Sequence, residues 1–109
     1  MNTKPLRKTI YHDFEPKCDY MSARFNDDSM RNAGIFNGSV VVLHKQRTAN
    51  NGDIVAVLLG KKLYLRRFKQ YGKTIMLMPE NSAYEPIPVL NKDEFLVLGK
   101  VVQVCTFLD

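Results

Sequence analysis

A chain of 109 residues, 45% of them hydrophobic, fits a single domain and can bury a core without disulfides or metal. A formal charge of +5 leaves nucleic acid or acidic partners open, but it speaks to non-specific binding rather than to fold. Cys18 and Cys105 lack any Cys-x-x-Cys spacing and read as reduced structural thiols, and the basic start at Met1–Lys8 is followed by no apolar run long enough for a signal peptide or a membrane span. A bacterial-type cytoplasm and no membrane contact follow.

Residues 1–18 read as a loosely attached arm and residues 19–109 as the folded domain. Ser29 to Ala33, closed by Gly34, has the composition of a short helical turn with Ser29 near its amino end, a placement that exposes the hydroxyl. Val40–Leu43, Asp53–Leu59, Lys62–Phe68, Thr74–Met78 and Glu94–Val104 are short runs rich in β-branched and aromatic residues and read as strands. The breaks at Asn37-Gly38, Asn50-Asn51-Gly52, Leu59-Gly60-Lys61 and Tyr71-Gly72-Lys73 carry turn residues. The expectation is a mostly β protein of several successive hairpins with one helical turn at the serine.

Taken in order, Asp28-Ser29-Met30, Gly34-Ile35, Asn37-Gly38, Asn51-Gly52-Asp53-Ile54-Val55, Arg66-Arg67, Pro79-Glu80-Asn81-Ser82-Ala83-Tyr84 with Pro86-Ile87, and Gly99-Lys100-Val101-Val102 resemble the LexA/UmuD-like serine–lysine peptidase domains over residues 19–104. The resemblance implies a LexA/signal-peptidase-like fold and a cytoplasmic, self-cleaving regulator of the SOS response to DNA damage, or of a phage repressor. It also implies a homodimer formed through the carboxy-terminal strands, where Phe95–Val104 would supply an apolar edge or face. Partners implied for the branch are a recombinase filament and a translesion polymerase, with DNA reached only through a domain absent from these residues. No cofactor or metal is implied.

In that family a serine attacks a peptide bond upstream in its own chain, and the base is a lysine on a strand 37 residues later. Ser29 takes the nucleophile's place, and Arg66 stands where the general-base lysine is expected. A guanidinium stays protonated in any protein setting, so Arg66 can orient Ser29 but cannot accept its proton. Asp27 replaces the usual glycine before Asp28-Ser29-Met30, Ser39 replaces an aspartate after Gly38, and Asp27 or Asp28 is a candidate ion-pair partner for Arg66. Ala33-Gly34 is the only dipeptide of the family's cleavable type, and it reads as a helix stop. The chain therefore reads as a proteolytically silent domain retained for dimerisation and partner binding. The alternatives are an active self-cleaving peptidase and a processed UmuD-like subunit of a translesion polymerase.

Plainer readings stand beside these. Ser29 could serve only as a helix cap. The stretch Lys61–Lys73 interleaves basic residues with Tyr64, Phe68 and Tyr71, as single-strand-binding surfaces do, although a solvated strand face has the same pattern. His12 and His44 are too isolated for zinc, and Ser29 with His44 lacks a third member. Asp27, Asp28 and Asp53 lack the close spacing of a calcium loop, and Pro79-Glu80-Asn81-Ser82 reads as a turn.

Overall fold

The computed structural model describes residues 19–107. Both the arm assigned to residues 1–18 and Cys18 lie outside them. Seven strands form one antiparallel sheet: β1 (Tyr20–Arg24), β2 (Val40–Lys45), β3 (Ile54–Leu59), β4 (Lys62–Tyr71), β5 (Thr74–Met78), β6 (Ile87–Pro88) and β7 (Phe95–Cys105). Their order across the sheet is β1-β2-β7-β3-β4-β5-β6. Two 3-10 turns, Arg31–Ala33 and Lys92–Glu94, are the only helical elements among the described residues.

Successive hairpins hold for β3-β4-β5, whose connections are Gly60-Lys61 and Gly72-Lys73. They fail between β2 and β3, because β7 inserts there and pairs with both. Accommodating two partners bends β7, and the register shifts by one residue opposite Val42/Leu43 and again opposite Ala56/Val57, as β-bulges do. Gly99 lies between the shifts. A β-carbon at that position would stand 2.7 Å from the His44 carbonyl oxygen, so the close approach of β7 to β2 requires glycine.

Strand β3 carries the apolar run Ile54-Val55-Ala56-Val57-Leu58-Leu59 because both of its faces are covered. Val55 and Val57 join Phe68, Ile75, Leu77, Val89 and Val97 in one core. Ala56, pointing the other way, joins Met30, Ile35, Val41, Leu43 and Leu65 in the second. Burying side chains such as Leu77 and Val57 contributes about 1.5–3 kcal/mol each. The second core reaches Met30, so the residue after Ser29 is an anchor and the serine is fixed to the sheet by its neighbour.

The apolar edge predicted for Phe95–Val104 does not exist, because β7 is hydrogen-bonded on both sides and sits inside the sheet. A partly apolar face remains: Leu96, Val102 and Val104 are exposed there.

Candidate active site

The segment from Asp27 to Gly34 leaves β1 and turns over the sheet. Its 3-10 turn begins at Arg31, is capped by Met30 without a side-chain hydrogen bond, and ends at Gly34, whose φ of 84° is left-handed. Ser29 therefore does not cap a helix. Ala33-Gly34 is the helix stop anticipated, with the Gly34 N–H returned to the Arg31 carbonyl.

The Pro79–Tyr84 stretch holds this segment down. Glu80 N–H donates to the Ser29 carbonyl at 2.7 Å, and Asn32 N–H donates to the Glu80 carbonyl at 2.8 Å. Asn81 Nδ2 donates to the Asp28 carbonyl at 2.8 Å, and the Tyr84 hydroxyl accepts from Asp28 N–H at 3.3 Å. An ion pair of 2.9 Å between Arg67 Nε and Glu80 Oε2 ties the same turn to β4. The sequence identified a turn here but not its task, which is to clamp the serine's loop.

Under that clamp Ser29 is wholly buried, contrary to the exposed hydroxyl expected from a helix start. Its Oγ makes two short contacts: it donates to Asp27 Oδ1 at 2.7 Å and accepts from Arg66 Nη1 at 2.7 Å. The same Asp27 Oδ1 accepts the Ser29 backbone N–H at 2.8 Å. The expected acid–arginine pair is thus made through the hydroxyl, and no direct Asp27–Arg66 or Asp28–Arg66 ion pair occurs. The 37-residue spacing does bring Ser29 and Arg66 together.

Arg66 lies on β4 opposite Val55 and is only 4% exposed. Its Nη1 also donates to the Leu65 carbonyl at 2.9 Å, while the buried Nε has no partner. The Tyr64 and Tyr84 rings flank the guanidinium, with Cζ 5.3 and 5.7 Å from their centroids, as in cation–π packing. Burial pulls the Arg66 pKa below its ordinary value, and the Asp27 carboxylate opposes that pull. Even lowered, a guanidinium remains a cation near neutral pH.

Beside the site runs a groove of about 350 Å³, mainly apolar, with Met21, Phe25, Leu43, Leu63 and Leu98 among its lining residues and Asp27 at the serine. Ser39, where an acid was anticipated, is buried instead. Its Oγ accepts the Phe36 N–H at 2.9 Å and meets Thr106 Oγ1 at 2.9 Å, which fastens the loop to the chain beyond β7. His44 lies on β2 against Gln46 and Tyr20, so it is no partner for Ser29. Phe68 is in the core, which removes it from any exposed stacking surface, and Tyr64 is half-buried against Arg66. Asp53 pairs with Lys100 at 3.4 Å, and Cys105 is a free, half-buried thiol.

A family model described as Peptidase S24-like matches residues 2–102. The chain belongs to the Peptidase S24-like family. It is 49% identical over 77 residues to the LexA repressor of Thermobifida fusca (strain YX), which covers 71% of this chain and 29% of that protein. It is 41% identical over 92 residues to the LexA repressor of Ruminiclostridium cellulolyticum, covering 84% of this chain and 42% of that protein. For the LexA repressor of Pseudomonas chlororaphis the identity is 38% over 85 residues, with 78% and 42% covered. The S24-like domain thus spans less than half the length of these curated relatives, and the antiparallel sheet formed by the described residues is consistent with the LexA/UmuD-like type. Among the described residues, no helix is long and apolar enough to cross a membrane.

Proposed function

We propose that this S24-like domain is a LexA-type regulator domain in which Ser29 keeps the nucleophile's place, self-cleavage has been lost, and the fold is retained for dimerisation and partner binding. The observation that carries this reading is the 2.7 Å contact from Arg66 Nη1 to Ser29 Oγ. A serine needs a group that removes its proton, and Arg66, which stands in the place of the family's lysine base, is already protonated and can only donate to it. The unpartnered Nε agrees with a site shaped for a side chain carrying one nitrogen, since an unsatisfied buried donor costs about 1–3 kcal/mol. Leu96, Val102 and Val104 on β7 supply the pairing face. The LexA repressor relatives favour a repressor-type role over a polymerase subunit, with DNA bound through a separate region that pairing would bring together in duplicate.

The test joins two measurements on the unmodified chain: incubation with a peptide carrying an Ala-Gly bond, followed by mass spectrometry, and sedimentation velocity at tens of micromolar. No cleavage and a dimer are expected, with Val102→Glu giving a folded monomer. Peptide cleavage overturns the loss of catalysis, and a monomeric parent overturns the pairing role.

A further inference from the structure

Serine acyl transfer needs more than a base. It also needs a donor for the oxygen of the attacked carbonyl, and the nucleophile's own backbone N–H commonly serves. Such donors lie about 2.7–3.1 Å from the place the oxyanion will occupy. In this domain the Ser29 N–H is already engaged, by Asp27 Oδ1 at 2.8 Å. That same oxygen receives the Ser29 Oγ proton at 2.7 Å.

We propose that the Asp27 carboxylate is a built-in occupant of the oxyanion position, so that the site is blocked from within as well as deprived of its base. The proposal rests on reading Ser29 as the ancestral nucleophile. An Asx turn, the ordinary capture of a backbone N–H by an aspartate two residues earlier, would explain the first contact alone. The second contact distinguishes this site, because one oxygen meets both groups that a substrate carbonyl must meet. Asp27 also lines the apolar groove, whereas Arg66 reaches the hydroxyl from β4. The carboxylate is therefore the group that an incoming peptide carbonyl would have to displace. Negative charge adds to the obstruction, since a developing oxyanion cannot share that place with a carboxylate. Glycine, the usual residue at this point in the family that the chain resembles, would leave both donors free.

Replacement of Arg66 by lysine should then be insufficient to restore reactivity. The test is labelling by a small fluorophosphonate, in which Ser29 Oγ forms a bond to phosphorus, fluoride leaves and the introduced lysine takes the proton. Intact mass follows the adduct in R66K, R66K/D27G, R66K/D27A, R66K/D27N and R66K/D27G/S29A, each first shown to be folded by a cooperative thermal transition. D27A keeps the test open should the glycine variant fail to fold. Labelling of R66K/D27G or R66K/D27A at least about a hundredfold faster than R66K is expected, in line with the loss that follows removal of an oxyanion donor. R66K/D27N should stay slow because an amide oxygen can still accept both protons, and the triple variant should not react. Equal labelling of R66K and R66K/D27G, rapid labelling of R66K/D27N, or no labelling of either folded opened variant overturns the blocking role. Rapid labelling of the unmodified chain is a separate outcome, which would overturn the loss of catalysis as well.

Discussion

Arg66 and Ser29, 37 residues apart in sequence, are joined by a 2.7 Å hydrogen bond in which the guanidinium donates and the hydroxyl accepts. The hydroxyl passes its own proton toward Asp27, so a neutral group sits between an anion and a cation and links them. The hydroxyl is thereby part of the domain's internal bonding.

Ser29→Ala should therefore destabilise this domain, unlike truncation of a nucleophile held only for chemistry. Both Arg66 Nη1 and Asp27 lose a partner in a poorly hydrated place. The expected cost is about 1–3 kcal/mol, read from the urea midpoint at unchanged m-value. An unchanged midpoint would show that the bridge contributes nothing to stability.

Arg66→Lys should make stability depend on pH. For Arg66 itself, burial lowers the folded pKa, but a guanidinium stays protonated near neutral pH, so this group leaves stability flat across the neutral range. A lysine in the same place starts from about 10.4 and is depressed by the same burial. Below the folded pKa both states are protonated and the full burial penalty applies. Between the two values the unfolded chain binds more protons, so stability climbs with pH and levels off above about 10. Thermal melts of parent and variant at pH 7 and 9.5 would test this, and parallel shifts in the two proteins would count against it.

Tyr84→Phe and Tyr84→Ala should separate two roles. The phenylalanine variant loses only the long hydrogen bond to Asp28 N–H and should cost at most about 1 kcal/mol. The alanine variant also uncovers the Arg66 guanidinium and should cost clearly more, about 2–4 kcal/mol. Equal losses in chemical denaturation would mean that the ring does not pack on the cation.

Gly99→Ala should be among the more damaging single-methyl additions in the chain. The added carbon meets backbone, not a side chain that can swing away, and the expected loss is about 1–3 kcal/mol. A wild-type melting temperature would indicate that β2 and β7 can separate without strain.

Most of the sheet was readable because β2, β3, β4, β5 and β7 carry runs of β-branched, aromatic and other apolar residues ended by turn residues. Tyr20-Met21-Ser22-Ala23-Arg24 gave no such signal, since β1 is exposed along its whole length and has no buried face to impose alternation. β6 is two residues long and includes Pro88, which argues against a strand on sequence grounds. The meeting of Ser29 with Arg66 was legible only through the family resemblance, in which the base stands 37 residues after the serine. The burial of Ser29 was not, because it comes from Glu80, Asn81 and Tyr84 folding back over the loop from far along the chain. Asp27 offered a local signal, a short acid two residues before the serine, but its reach to the hydroxyl depends on where Arg66 pins that hydroxyl.

The position of β7 has a consequence for how the molecule assembles. The pieces β1-β2 and β3-β4-β5 can each form from nearby residues, yet neither touches the other through the sheet until Phe95–Cys105 slides between them. Closure joins residues far apart along the chain, and such non-local pairing slows folding. Each half exposes an unpaired strand while it waits, β2 on one side and β3 on the other, and an exposed strand of that kind can recruit the matching piece of a neighbouring molecule. Exchange of β7 between copies would satisfy both halves at once.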